Sequence, residues 1–220
     1  MSETTTTRYR DAAVARDISS AQLLGQVMFL VAVALGFCAL GTLIGRDLSL
    51  GTARVCSFAG FGMLLVSSFA GARFRVGAFA MGWLFATALL IGLGLGPVIA
   101  YFAEADDAAL TQAFAGTAAT VLGTGALGFA LSRDLARWMR PLALVVFALC
   151  AATIVITLFG GTISPVISLL IYGVSALLIV VDFNYLRRHG TEADAVWLAT
   201  GIFVSIVNIF LSLLNIFSGR

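Results

Sequence analysis

Long runs of apolar residues follow one another along almost the whole chain, and short polar segments separate them. Seven runs can be distinguished, at residues 22–44, 55–70, 76–102, 108–131, 141–159, 164–185 and 195–217. A helix needs about 20 predominantly apolar residues to cross a hydrocarbon core of about 30 Å, since each residue rises about 1.5 Å. The apolar residues are consecutive rather than alternating, which favours helices over the strands of a membrane barrel. The pattern therefore predicts an all-α integral membrane protein, a bundle of seven transmembrane helices.

The composition points to lipid as the surroundings of this bundle. Apolar residues make up 60% of the 220 residues and charged residues only 11%, whereas about 25% of residues are charged in soluble domains. The mean hydropathy is +1.05. The lipid bilayer is thus the expected partner of the chain, and no nucleic-acid partner is expected.

The arginines predict the orientation, because short cytoplasmic loops retain basic residues. The chain has no lysine, and ten of its arginines lie before the first run and in the second, fourth and sixth gaps, against three on the other side. This distribution places the N-terminus in the cytoplasm and the C-terminus outside. We expect residues 1–20 to form a disordered cytoplasmic tail, residues 21–220 to form the transmembrane domain, and a bacterial inner membrane to hold it.

Several classes of membrane enzyme lack the residues that they need. There is no lysine for a retinal Schiff base, and the only histidine, His189, lies in a predicted loop where it cannot activate an intramembrane serine. Asp182 is the only acid inside an apolar run, so a pair of catalytic carboxylates is missing. The three cysteines are scattered over separate runs and form no metal-ligand pattern. We therefore expect no enzymatic activity, no metal site and no cofactor.

Glycines are spaced for close contact between helices. Gly92, Gly94 and Gly96 precede Pro97 in the third run, and a second small-xxx-small arrangement lies at residues 41–45, where the first run ends. Two interpretations remain open for the segment that ends at Pro97. It packs tightly against a neighbouring helix, or it kinks or unwinds and frees carbonyl groups to line a cavity.

The seventh run carries a stripe of small and polar residues. These residues recur at intervals of four, three, four and three, which keeps them on one face of a helix: Gly201, Ser205, Asn208, Ser212 and Asn215. This face is expected to point into the bundle, because amide groups turned toward lipid would lack hydrogen-bond partners. Ser212 and Asn215 are interpreted as contacts between helices. For Ser205 and Asn208, such a contact and the lining of an ion pathway are both possible.

Asp182 lies in the sixth run, near its predicted cytoplasmic end. A carboxylate in an apolar helix is costly, so it is usually solvated at the interface, paired with a base or functional. Arg187 or Arg188 could screen it. If it is instead desolvated against the seventh helix, it could act as a proton sensor, because desolvation disfavours the charged form. Arg73 or Arg75 of the second gap could then serve as a cytoplasmic counter-charge.

Four segments resemble the Bax inhibitor-1 family. Residues 182–196 and 203–214 are similar to its sixth and seventh spans, and the segment at 204–214 most resembles the bacterial YccA-like branch. Residues 92–102 resemble the third span, and residues 132–135 the segment after the fourth. The resemblance implies a seven-helix protein whose sixth and seventh helices pack in the centre.

The resemblance also implies two functions. One bacterial branch of the family consists of pH-sensitive calcium leak channels in which two aspartates on these two helices share a proton. Asp182 matches the first aspartate, but Ser205 stands where the second would be, so a shared proton is not expected and calcium would bind weakly. The first expectation is thus a pH-responsive cation (calcium) leak pathway with Asp182 as sensor, or a stress-response membrane protein. The alternative, associated with the YccA-like branch, is a modulator that binds a membrane-bound ATP-dependent protease of the FtsH type.

Overall fold

The computed structural model describes residues 19–69, 71–74, 76–159 and 161–219, and this part of the chain contains seven long helices. All seven are long and apolar enough to cross a membrane, which confirms the predicted all-α, seven-helix fold class. The predicted cytoplasmic tail lies outside the described residues except for its last two positions. Two 3-10 turns, Ala72–Phe74 and Glu192–Asp194, lie in the predicted cytoplasmic loops. The helices are α1 (Ser20–Gly45), α2 (Leu50–Phe69), α3 (Gly77–Ala105), α4 (Asp107–Ala130), α5 (Ala136–Leu158), α6 (Pro165–His189) and α7 (Ala195–Ser218).

Two helices start earlier than the apolar runs that predicted them, because arginines lie near their starts. α2 begins at Leu50 and includes Arg54, and α5 begins at Ala136 and includes Arg137 and Arg140. The prediction started these two helices five residues too late because it counted apolar residues only. A long basic side chain near a helix end can extend toward water while its backbone remains helical.

α6 and α7 form the centre of the bundle, as the resemblance implies. α6 packs against α4, α5 and α7, and α7 packs in addition against α1 and α4. These two helices bury the largest share of their apolar segments, whereas α5 buries the smallest. Fully buried side chains at the centre include Ile179 and Leu186 of α6 and Ile202, Phe203 and Ile209 of α7.

Glycines bring the backbone of α3 into direct contact with α1 and α2. A Cβ atom on Gly92 would clash with the carbonyl of Cys38 in α1, and one on Gly96 would clash with Gly45. A Cβ on Gly94 would clash with α2 on the other side of the helix. α3 stays helical through Pro97. Close packing, rather than an unwound segment, therefore accounts for this glycine-rich stretch.

Candidate functional site

Asp182 lies inside the bundle, seven residues before the end of α6 at His189. This spacing puts it about 10 Å from the predicted cytoplasmic end of the helix. Its side chain is only 6% exposed and lines a cavity. Among the described residues, no side chain forms a hydrogen bond or an ion pair with its carboxylate. A buried carboxylate without a partner is a costly arrangement, which marks Asp182 as a candidate functional group.

The arginines considered as partners of Asp182 bind elsewhere. Arg187 donates a hydrogen bond to the carbonyl of Leu131 at 2.8 Å, and Arg188 donates to the carbonyl of Ser132. The guanidinium of Arg73 lies 4.8 Å from the ring centre of Phe79 and forms no ion pair with Asp182.

If Arg187 or Arg188 screened the carboxylate of Asp182, this acid would need no functional role. The structure does not support such screening, because both arginines bind loop carbonyls. Arg73 was predicted to be a counter-charge for Asp182, but no ion pair joins the two residues. Arg75, the other residue named for that role, lies outside the described residues.

The carboxylate of Asp182 contacts the backbone of α7 at Gly201. A Cβ atom on Gly201 would lie 3.3 Å from Oδ2 of Asp182, which is tighter than an ordinary van der Waals contact. The missing side chain therefore makes room for the carboxylate between α6 and α7. Ser205 lies one turn farther along α7 and is 2% exposed, and no hydrogen bond joins it to Asp182.

The cavity beside Asp182 has a volume of about 310 Å³ and lies between α2, α3, α5, α6 and α7. Most of its wall is apolar. Apart from Asp182, its titratable lining residue is Cys150 of α5. Phe61 of α2 and Phe147 of α5 also line it, and their ring centres are 5.9 Å apart. The hydroxyl and amide groups of the lining include those of Ser57, Ser67, Thr153, Thr200, Ser205 and Asn208.

Asn208 reaches the cavity with half of its amide group unused. Its Oδ1 accepts a long hydrogen bond from Sγ of Cys150 at 3.6 Å. Its Nδ2 is buried and has no hydrogen-bond partner among the described residues. Buried amide hydrogens are normally satisfied, so this unpaired donor is an energetically costly feature beside the cavity.

A column of polar residues continues from the cavity along the α6–α7 interface. Nδ2 of Asn215 donates to Oγ of Ser168 at 2.7 Å, so these residues stand opposite each other, as Asp182 and Gly201 do. The pair Asp182–Gly201 and the pair Ser168–Asn215 are separated by two heptads on each helix. Midway between them, one heptad from each pair, Ser175 of α6 is therefore level with Asn208 of α7. Oγ of Ser175 is also buried without a hydrogen-bond partner in the described structure. Asn215 thus connects the helices as predicted. In the middle of the column, Oγ of Ser175 and Nδ2 of Asn208 have no hydrogen-bond partner among the described residues.

Asn184, which sequence reasoning missed, fastens α6 to the end of α4. The side chain is fully buried, and Nδ2 donates to the carbonyls of Gly128 at 3.3 Å and Leu131 at 3.2 Å. Oδ1 accepts from the backbone N–H of Leu135 at 3.0 Å. The carbonyls at the end of a helix have no partner in their own helix, and Asn184 supplies one. An asparagine in an apolar run was the available signal, but its partners are distant in sequence.

His189 and Asp134 join the same loop to α6 at the predicted cytoplasmic surface. Nε2 of His189 lies 2.8 Å from Oδ2 of Asp134. The pKa of Asp134 is held below its ordinary value, first by the hydrogen bond from the backbone N–H of Ala136 and then by the one with His189. Together with Asn184 and the two arginines, this contact holds the segment 131–135 against the end of α6.

Comparison with known proteins identifies the family of this chain. The family model described as "Inhibitor of apoptosis-promoting Bax1" matches residues 20–220, which include all seven helices. No curated protein matches the chain. Since the match covers most of the sequence, this integral membrane protein, with its buried Asp182 between two central helices, belongs to the Bax inhibitor-1 family.

Proposed function

We propose that this protein provides a pH-responsive pathway for cations, with calcium as the expected ion. The observation that carries the proposal is the carboxylate of Asp182, which is buried beside a cavity and has no cation next to it among the described residues. An ionised carboxylate in surroundings of low dielectric constant needs an opposite charge. A proton or a cation that enters the cavity supplies this charge, so protons and cations compete for Asp182.

The helices around Asp182 contribute little other charge to this competition. Cys150 of α5 is the other titratable side chain in the described lining of the cavity. Arg137 and Arg140 of α5 are exposed at the predicted cytoplasmic end of that helix. α4 and α7 contribute no charged side chain to the lining, and the arginines near the end of α6 bind loop carbonyls. The charge state of the cavity therefore depends chiefly on Asp182.

The polar groups beyond Asp182 suit a weak pathway better than a strong binding site. Ser205 and Asn208 offer oxygen atoms in the cavity, and Ser175 continues the column toward the other end of the helix pair. Calcium prefers six to eight oxygen ligands with several carboxylates among them. The described residues contain no cluster of three or more acidic, histidine or cysteine side chains. Weak binding at one acid permits an ion to leave again, which conduction requires.

Calcium flux into proteoliposomes tests the proposal. We expect a passive flux that is larger at pH 8 than at pH 6, because protons occupy Asp182 at the lower pH. Asp182→Asn should reduce the flux and abolish its dependence on pH. Asp47→Asn is the matched control, because Asp47 is an exposed acid whose contact with Arg46 is long, at 3.8 Å. This control should leave both the flux and its pH dependence unchanged.

Two outcomes would contradict the proposal: no flux at either pH, or a flux in Asp182→Asn that equals that of the unchanged protein. The first outcome would favour the alternative that the chain binds a membrane-bound ATP-dependent protease of the FtsH type. That alternative depends on the resemblance: the protease would dock on the helices and on the N-terminal tail, residues 1–20, which lies almost wholly outside the described residues. Co-purification of such a protease, lost on deletion of residues 1–18, would support it.

A further inference from the structure

We infer that the cavity beside Asp182 is a binding site for an amphipathic organic monocation, such as an amine with an aromatic ring. The inference uses the same cavity as the proposed function, but it does not depend on the passage of ions. It follows from three features of the cavity: the nature of its walls, the single uncompensated charge and a second polar group at a defined spacing.

The walls of the cavity suit an apolar body of small-molecule size. Its volume of about 310 Å³ lies at the lower end of the range of about 300–1,000 Å³ that is common for small-molecule sites. Phe61, Phe74, Phe147 and Trp197 contribute aromatic rings to the wall. Aromatic rings attract a cation over their faces and also pack against an apolar ligand. A hydrated inorganic ion would leave this apolar surface without a partner.

The charge of the cavity matches one positive charge. Asp182 is the only acid in the described lining, and no arginine or histidine lies there. A protonated amine can neutralise this carboxylate and donate hydrogen bonds to its two oxygens, which have no donor in the structure. Calcium would remain short of ligands at the same position. The lone carboxylate therefore fits a monovalent organic cation better than a divalent metal ion.

A second polar contact lies at a fixed distance from the first. The carboxylate of Asp182 lies against Gly201, and Asn208 follows Gly201 by two turns of α7. Two turns correspond to about 10 Å along the helix axis. The amide hydrogens of Asn208 are buried without an acceptor in the described part of the chain, and rotation of this lining side chain toward the cavity would let them donate to an acceptor at that distance. The expected ligand thus has an amine at one end, an aromatic body and a hydrogen-bond acceptor about 10 Å away.

Binding of a designed probe to the full chain in phosphatidylcholine nanodiscs tests this inference. The probe is a butylamine that carries a para-methoxyphenyl ring at its far end, and the corresponding alcohol is its neutral counterpart. Equilibrium dialysis at neutral pH, corrected with empty nanodiscs, should give saturable binding of about one amine per chain. We expect Asp182→Asn and the change of amine to alcohol each to weaken binding by about ten-fold or more.

Two further variants separate binding from folding. Asp47→Asn, the exposed-acid control, should bind the amine as the unchanged protein does. Ala143→Phe keeps Asp182 but places a ring into the cavity from α5, so it should also lose binding. The inference is wrong if the alcohol binds as tightly as the amine, if Asp182→Asn binds the amine normally, or if no saturable binding exceeds that of empty nanodiscs. Because no ion gradient is used, a protein that binds the amine but passes no calcium would overturn the proposed function alone.

Discussion

Asn184, which is fully buried, and Asn208, which is half-buried, allow the same substitution to be compared at two positions with opposite hydrogen bonding. Asn184→Ala removes three hydrogen bonds between α6 and the end of α4, at 3.0 to 3.3 Å. Each such bond contributes about 0.5–1.5 kcal/mol net, so we expect a loss of about 2–4 kcal/mol in the free energy of unfolding. Asn208→Ala removes one long hydrogen bond, from the thiol of Cys150 to Oδ1, and an amide nitrogen that has no partner among the described residues. We expect that change to cost less than about 1 kcal/mol.

Unfolding in mixed micelles with increasing dodecyl sulfate, followed by circular dichroism, measures both differences. The two substitutions delete the same side-chain atoms, so the deleted volume is matched, and the difference reports the hydrogen bonds together with the deeper burial of Asn184. Equal losses for the two variants, or a larger loss for Asn208→Ala, would refute the view that Asn184 fastens the helices. A rise in the exchange of backbone amides at residues 131–135 in Asn184→Ala, but not in Asn208→Ala, would locate the effect.

Three further predictions concern packing, pH and topology. Gly92→Ala should destabilise the protein by about 1–3 kcal/mol in the same unfolding assay, because the new Cβ would clash with the carbonyl of Cys38. Gly82→Ala is the control: a Cβ atom there meets open space, so this change should be neutral or mildly stabilising. Because the pKa of Asp134 is lowered in the folded protein, the ionised carboxylate stabilises the fold. This stabilisation is present in full above the ordinary aspartate pKa, and it is lost as the pH falls through the lowered pKa. Amide exchange at residues 131–135, corrected for its intrinsic pH dependence, should accelerate over that acid range, and Asp134→Asn should show no such step. Alkaline phosphatase fused to the C-terminus should be active and a fluorescent protein fused there should be dark, and the reverse result would invert the predicted orientation.

The number of helices was predictable because the criterion for a membrane span is local. An apolar run of sufficient length predicts a helix in lipid whatever the rest of the chain does. The largest errors lay at the starts of α2 and α5, where Arg54, Arg137 and Arg140 interrupt the apolar pattern without interrupting the helix. The end of α6 was also predicted four residues too early, because the basic residues 187–189 are helical, so His189 ends α6 instead of lying in a loop. Periodicity also placed the polar stripe of α7 on one face, and the structure brings Gly201, Ser205 and Asn208 of that stripe to a single cavity.

The partners of the site residues could not be predicted in the same way. Nothing near Asp182 in sequence indicates that its carboxylate rests on Gly201, or that Arg187 binds the carbonyl of Leu131 instead. Both contacts depend on how α4, α6 and α7 are arranged in three dimensions. The role of Asn184 was hidden for the same reason, since its partners lie about 50 residues earlier in the chain. Charge and spacing identified the candidate groups, and packing determined which of them meet.

The small buried share of α5 has a consequence for how the lipid could influence the protein. α3 is fixed to α1 and α2 by direct backbone contacts at its glycines, whereas α5 packs mainly against α6 and leaves most of its surface facing out of the bundle, where lipid is expected. Tilting α5 would therefore disturb fewer internal contacts than moving any other wall of the cavity. The lateral pressure and thickness of the bilayer would then set the resting tilt of α5. The elasticity of the membrane would in turn supply part of the force that returns α5 to this tilt.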